Sequence, residues 1–265
     1  MHRDQLLPLH LRLRSPDQAL PDPLFRVSTQ RIPKALGRAR IRHDRYRCRY
    51  CGFTAARYQV TVQTGASPRV LDDLATCCRP CWQVMNLEGA VVQRSAELVW
   101  LPELAQAELN LHLPRLYSAR ISQGAAAMLA RSLLEVLKGR HAEAERRSGF
   151  TSLDALVKAL RLAEGEVQSP VSASSAAETA PRTEGCAAEQ PNAETIQAHF
   201  DAGLRILPLD RVQVREAELE FNMFPQMLAF FRSRNGPLSG AADGFAPLGQ
   251  DWLIRLGARV EPPPS

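Results

Sequence analysis

The chain has 265 residues, 45% of them hydrophobic, enough for one domain with extensions or two small ones and for a real core. Its net charge is +5, but only three of its 33 basic residues are lysines (Lys34, Lys138 and Lys158), and so Arg-rich a composition reflects a GC-rich genome as readily as a nucleic-acid partner. No stretch reaches 18 consecutive apolar residues and no apolar run precedes a small-residue cleavage site near the start, which argues against a membrane span and an export signal; six cysteines then fit a reducing cytoplasm and a metal better than a disulfide framework.

Taken in order, Leu9, Leu11 and Leu13 alternate with polar residues and predict a half-buried strand. Ser15-Pro16-Asp17 and Pro21-Asp22-Pro23 are turns. Arg31, Lys34, Arg38, Arg40, Arg42, Arg45, Arg47 and Arg49 fall within 19 residues, with Asp44 as the one acid among them. Such a cluster reads either as a phosphate-facing stripe or as a solvated, partner-facing or acid-paired surface.

Cys48-Arg49-Tyr50-Cys51 and Cys78-Arg79-Pro80-Cys81 then form two C-x-x-C pairs, 26 residues apart. Each pair can place two sulfurs on one tight knuckle, and two knuckles brought together make a closed S4 site suited to Zn²⁺. Gly52 follows the first pair, where a knuckle needs a residue free to take positive φ. A disulfide or buried free thiols are the alternatives. Cys77 adjoins the second pair, but Cys78 has the matching spacing to Cys81. The predicted metal ligands are therefore Cys48, Cys51, Cys78 and Cys81, with one structural Zn²⁺ per chain.

Tyr58 to Thr64 is β-branched, alternating and strand-like. A hairpin within Phe53 to Thr64, followed by a helix from Cys78 towards Gly89, would make a ββα module. Glu97 to Leu101 predicts another strand. Pro102-Glu103 reads as a helix start, with Pro114 ending or kinking the helix. Ala125 to Arg147 predicts a helix carrying Leu129, Leu133, Val136 and Leu137 on one face, with Gly139 as its weak point. Thr151 with Asp154 reads as a capping box before the stripe of Leu153, Leu156, Val157 and Leu160. Glu166 to Thr195 has no aromatic, Leu or Ile and reads as a disordered linker containing Cys186. Beyond it, six of the nine phenylalanines and Trp252 predict renewed order. Ile196, Phe200 and Leu204 lie at helical spacing, and a second helix runs from Pro225 to Arg232 and ends at Asn235-Gly236.

The run from Arg45 to Gly52, followed by Asp73 to Cys81, resembles the HNH endonuclease module, in which an S4 zinc is structural and catalysis belongs to a second, histidine-bound metal. The sequence departs from that pattern where catalysis would sit. Asp44-Arg45 reverses the family's Arg-Asp order, and there is no histidine from Asp44 to Leu111. The asparagine position holds Asp73, and Met85 stands four residues after the last cysteine, where a hard cation would find no ligand. His43 and His112 flank the module. Leu74-Ala75-Thr76 with the crowded cysteines, Leu101-Pro102-Glu103-Leu104-Ala105-Gln106-Ala107-Glu108-Leu109-Asn110, and Leu9 to Pro16 together resemble the DotN/IcmJ family, with a weaker echo at Leu204 to Leu209. These are HNH-like zinc proteins without nuclease chemistry in the coupling complex of type IVB (Dot/Icm) secretion systems. The likeness covers about residues 9 to 120.

The resemblance implies an α+β fold: a small HNH-like ββα zinc module (treble-clef-like) with N-terminal strand(s), surrounding helices and a helical C-terminal segment. The expected divisions are 1–40, a strand and basic lead-in; 41–92, the zinc module; 93–165, a helical extension; 166–195, the linker; and 196–265, the C-terminal segment. The implied function is a non-catalytic adaptor, with no catalytic residues, held on the type IV coupling ATPase (DotL-like) beside other coupling-complex subunits. It would be cytoplasmic and reach the inner membrane only through those partners. A divergent HNH endonuclease or a DNA-binding zinc module is the alternative.

Overall fold

A computed structural model describes residues 6–9, 32–167, 192–216, 219–239 and 241–257. Within these, ten α-helices and three two-stranded antiparallel sheets form a mixed α+β fold. The chain opens with α1 (Lys34–His43), whose Ala, Leu and Arg are good helix formers and whose last turn gathers Arg40, Arg42 and His43 at the negative end of the dipole. Strands β1 (Val60–Gln63) and β2 (Leu74–Cys77) pair in the register Val60↔Cys77 to Gln63↔Leu74. Helix α1 lies against this hairpin: Thr61 Oγ1 donates to the Gly37 carbonyl at 3.1 Å.

The tie between α1 and the hairpin is ionic. Asp44, its side chain 1% exposed, accepts from Arg40 Nε and Nη2, both at 2.9 Å, and from the Thr76 amide at 3.0 Å. Burial opposes ionisation of this carboxyl, but the bonds from Arg40 and Thr76 outweigh it and hold its pKa below the ordinary value.

From β2 the chain passes into α2 (Arg79–Met85), α3 (Leu87–Val92) and β3 (Ala96–Trp100), then α4 (Gln106–Arg120), α5 (Ala125–Gly139), α6 (His141–Ser148) and α7 (Leu153–Val167). After the undescribed stretch come α8 (Ala193–Ala202), β4 (Leu204–Pro208), β5 (Gln213–Glu216), β6 (Leu219–Asn222), α9 (Phe224–Arg232) and α10 (Ala241–Arg255). Strand β4 pairs with β3, from Ala96↔Pro208 to Trp100↔Leu204. This small sheet is a partition. Ala96, Leu98, Trp100, Leu204 and Ile206 face a core shared with α3, α6, α7 and α8. Val99 and Leu207 face the other core, which holds the cysteines and the apolar sides of α4, α5, α9 and α10. The period of two in β3 thus serves two cores at once. Gly203, at φ +133°, makes the join into β4; a Cβ there would lie 2.8 Å from the Pro102 Cα.

Several expectations need correction. The hairpin is not inside Phe53 to Thr64: its second strand is Leu74–Cys77, reached through a loop that Asp73 closes by accepting from the Thr64, Gly65 and Ser67 amides. The helix after Cys78 breaks at Asn86 and not at Gly89, which is buried inside α3. Pro102 opens a turn that drops Leu104 into the core, and the helix starts only at Gln106. Pro114 neither ends nor bounds that helix. Leu113, Leu116 and Tyr117 are buried around it, and their packing outweighs the roughly 3 kcal/mol a helical proline costs. Ser152, not Thr151, caps α7: its Oγ accepts from the Ala155 amide at 3.2 Å. Leu204 belongs to β4 and not to the helix of Ile196 and Phe200. The C-terminal segment is therefore not simply helical but contributes three strands. Helix α1 also crosses the expected boundary at residue 40. The single helix expected from Ala125 to Arg147 is two, α5 and α6, divided at the weak point after Gly139. The predicted strand from Leu9 to Leu13 falls almost wholly outside the described residues. So does most of the predicted linker, Cys186 included; Val167 closes α7 and Ala193 opens α8.

Replacing Asp44 should expose how much this tie carries. Asp44→Ala leaves the buried Arg40 with only the Leu71 carbonyl at 3.1 Å and the exposed Asp72 carboxylate at 3.9 Å, and should cost about 3 kcal/mol, read as a shift in the urea midpoint. In the native protein the contribution is complete above the carboxyl's ordinary value of 3.8 and fades as pH falls from there through its lower folded value. Acid titration of Asp44→Asn should lack that component.

Candidate metal centre

The first knuckle is closed by the backbone. Arg47 and Thr54 form an antiparallel bridge, the Cys48 amide donates to the Phe53 carbonyl at 2.8 Å, and the Gly52 amide to the Cys48 carbonyl at 3.0 Å. Gly52 sits at φ +83°, the left-handed conformation that the turn requires. The second knuckle is the junction of a strand and a helix. Strand β2 ends at Cys77, Cys78 is the N-cap of α2, and Cys81 lies in its first turn, with Pro80 at the start of the helix where no N–H is needed. The two knuckles meet because the Arg49 amide donates to the Thr76 carbonyl at 2.9 Å. Residues 6–9 run alongside, with the Leu7 amide on the Arg49 carbonyl at 2.6 Å.

This geometry brings the sulfurs of Cys48, Cys51, Cys78 and Cys81 within 4.8 Å of one another. All four are buried and none is in a disulfide. Cys51 Sγ and Cys78 Sγ lie 3.5 Å apart. A tetrahedral ion with metal–sulfur bonds of about 2.3 Å would set its sulfurs about 3.8 Å apart, so the donor set fits a thiophilic tetrahedral cation. The protons tell the same story. Burial opposes the charge on Cys48, but hydrogen bonds from Cys51, Cys77, Cys78 and Cys81 hold it well below the usual thiol range. Burial and the neighbouring Cys48 push Cys78 and Cys81 well above it. A divalent cation seated among the sulfurs would favour thiolate ligands and release protons as it binds. Cys77 lies outside the four-sulfur group. It pairs with Val60 in the hairpin, its Sγ donates to the Cys78 carbonyl at 3.4 Å, and burial pushes its pKa far up, so it remains a thiol.

The residues behind the sulfurs lie outside the C-x-x-C pattern from which the ligands are predicted. Asn110 on α4 is fully buried, and its Nδ2 donates to Cys81 Sγ at 3.4 Å. Its Oδ1 accepts from Gln106 Nε2 at 3.0 Å. Gln106 is in turn held by both backbone groups of Ile206 in β4: Nε2 donates to the carbonyl at 2.7 Å and Oε1 accepts from the amide at 2.8 Å. A backbone N–H can only donate, so Ile206 dictates which way Gln106 faces. Gln106 then dictates Asn110, which is left with an N–H aimed at sulfur. The i, i+4 spacing of Gln106 and Asn110 inside the specific run from Leu101 to Asn110 is the signal that could have found them.

The other residues weighed for chemistry do structural work. Asp73 closes the hairpin loop. Met85 packs on the core around the cysteines. His43, at the end of α1, lies 3.6 Å from the Asp44 carboxylate. His112 stacks edge-on to Trp252 with centroids 5.5 Å apart, and burial together with Arg115 lowers its pKa. Of the basic cluster, Arg40 is committed to Asp44, whereas Lys34, Arg38, Arg42 and Arg45 are exposed. No helix among the described residues is long and apolar enough to cross a membrane.

No protein-family model matches the chain. Over 74 residues it is 39% identical to the type 4 apparatus protein DotN of Legionella pneumophila, a match covering 26% of this chain and 35% of that protein. The chain thus spans about a third of the length of the curated relative it matches.

If Asn110 steadies the charge on Cys81, Asn110→Leu, which keeps the size and removes the donor, should weaken metal retention about tenfold in chelator competition. The circular-dichroism spectrum of the metal-saturated protein should be unchanged. Equal retention by the variant and the parent would remove Asn110 from the site.

Proposed function

We propose that this protein is a non-catalytic, structural-zinc adaptor of a type IVB (Dot/Icm-type) secretion coupling complex, holding Zn²⁺ through Cys48, Cys51, Cys78 and Cys81 and binding the coupling ATPase. The observation that carries the reading is the 39% identity to DotN, a type 4 apparatus protein. The four-cysteine cluster is what such an adaptor's zinc would need. The order of the module (knuckle, β1, β2, second knuckle, α2) supports an HNH-like ββα unit, here widened at its start by α1. Zinc suits four thiolates because it has no redox chemistry and no preference against a tetrahedron; bound there it would join two chain segments that are otherwise held by few backbone bonds.

The same module argues against nuclease work. Hydrolysis of a phosphodiester needs a base near neutral pKa and an open-sided cation, whereas the sequence from Asp44 to Leu111 contains no histidine and four buried sulfurs leave a metal no free position. In this reading the protein is cytoplasmic and meets the inner membrane only through its ATPase partner.

Purified protein should contain about one zinc per chain. Serine at Cys48, Cys51, Cys78 or Cys81 should release the metal and much of the folded signal, while Cys77→Ser should keep both. Zinc retained in Cys81→Ser would end the ligand assignment. The adaptor role is tested separately, by co-purification with a cytoplasmic segment of the coupling ATPase after nuclease treatment. The complex should survive salt several times above physiological strength, because buried apolar contact is barely screened. Failure to recover the ATPase under any condition would remove the adaptor reading, and loss on nuclease treatment would favour a DNA-binding module.

A further inference from the structure

A cleft of about 460 Å³, its open mouth included, lies where the two knuckles meet α4, α9 and the end of β4. Its walls are apolar, with Phe53, Tyr58, Leu113, Met227 and Phe231 among them, and among the described residues no carboxylate lines it. Two guanidinium groups do. Arg57 stands over the Phe230 ring at 5.3 Å, and Arg79 over the Trp82 ring at 5.7 Å. Neither has an ion pair among the described residues, and the enclosed Arg79 Nε has no hydrogen-bond partner there. Gln59, which also lines the cleft, spends its Nε2 on the Tyr46 and Phe53 carbonyls and leaves a buried Oε1 unmatched.

The wall is also strained. Tyr58 adopts φ +66°, which for so bulky a residue costs about 1–3 kcal/mol. That conformation sets its ring 5.8 Å from Phe230 and 6.1 Å from Phe231, so the cost goes into shaping one side of the cleft. Contrast Arg40, Arg120 and Arg255, each paired with a carboxylate in this chain. An apolar slot with an exposed guanidinium, Arg57, at its rim, a more enclosed one, Arg79, in its wall, and no acid among the described residues that line it is complementary to an apolar side chain flanked by negative charge.

We propose that this cleft receives an acidic segment of a partner protein, which seats one bulky apolar side chain between Phe53, Tyr58 and Phe231 and sets carboxylates on Arg57 and Arg79. Most of the 460 Å³ is open mouth, so one side chain at most enters the enclosed part and its neighbours in the segment lie outside, along the rim. The proposal deepens the adaptor reading in one respect, that the occupant is a protein; the ATPase could dock elsewhere without affecting the chemistry of this slot. Because Cys78 and Pro80 form part of the wall, an ordered slot needs an ordered metal centre.

The test uses the full zinc-loaded chain and a short synthetic peptide with one phenylalanine between aspartates, titrated to millimolar concentration and followed by NMR. The Met227 methyl and the side-chain amides of Gln59 and Gln83 should shift saturably. Replacing the phenylalanine by alanine, or the aspartates by lysines, should weaken binding about tenfold or more. Arg57→Glu, on an exposed residue remote from the ligands, should do the same while zinc content and melting temperature stay unchanged. No shift with the acidic peptide, equal binding of the alanine or lysine peptides, or full binding by Arg57→Glu would each overturn the proposal. So would phenylacetate binding as tightly as the peptide, which would make the slot a small-acid site. If Arg57→Glu abolishes peptide binding but still co-purifies the ATPase segment, the slot stands and the ATPase docks elsewhere. If the ATPase is never recovered but the peptide binds as described, the slot stands without the adaptor reading.

Discussion

Four thiols converging in one buried space pose a problem that the rest of this chain is arranged around. Their sulfurs are too close for more than a fraction of them to ionise unaided, yet burial denies each neutral thiol the hydrogen bonds that water would provide. A tetrahedral cation resolves both demands. The backbone has already done the part that a cation cannot, which is to bring the second pair opposite the first across 26 intervening residues. It does so with the β1–β2 ladder, the Arg49–Thr76 bond and the Asp44 carboxylate, which reaches from the end of α1 to the amide of Thr76 just ahead of the second knuckle. The carboxylate is worth its burial because Arg40 accompanies it with two charge-assisted bonds; alone it would be a liability of several kcal/mol.

The four-cysteine site is not an isolated module attached to a helical body. Strand β4, more than a hundred residues beyond β3, completes the small sheet that separates the two cores. Through Ile206 it also sets Gln106 and, through Gln106, the amide that faces Cys81. The order of the C-terminal segment and the order of the sulfur cluster therefore draw on shared bonds. Trp82 and Trp100 are buried by the chain's own helices and strands.

What was legible in the sequence was local. A C-x-x-C pair with a following glycine encodes its own turn, β1 announces itself by alternation because each side chain's face is decided within the strand, and β3 is marked by its short apolar run through Val99 and Trp100. The apolar stripes of α5 and α7 are likewise one-dimensional patterns. What was not legible depended on partners distant in the chain. Leu204 reads as the next turn of a helix until β3 is available to pair with it. Pro114 reads as a terminator until the buried faces of Leu113, Leu116 and Tyr117 make the helix worth continuing. Asn110 is an ordinary helical polar residue until Cys81 lies beside it, and no spacing rule links those two positions.

The arginines show why net charge was a poor guide. A formal charge of +5 says nothing about where cations are free. Within the stretch that looked most like a phosphate-binding stripe, the buried Arg40 is bound to a carboxylate of the same stretch and is a structural residue. Arg57 and Arg79, which lie in no basic run, stand over aromatic rings beside an apolar cleft with no ion-pair partner among the described residues. A guanidinium over an aromatic face keeps much of its attraction for an anion, since the ring meets one side of the plane and leaves the N–H edge available. At this cleft, then, two guanidinium groups lie where apolar surface is also open. That pairing selects for a partner able to satisfy both at once and gives little to a uniformly charged polymer, whose backbone would meet the cations but leave Phe53 and Phe231 against water.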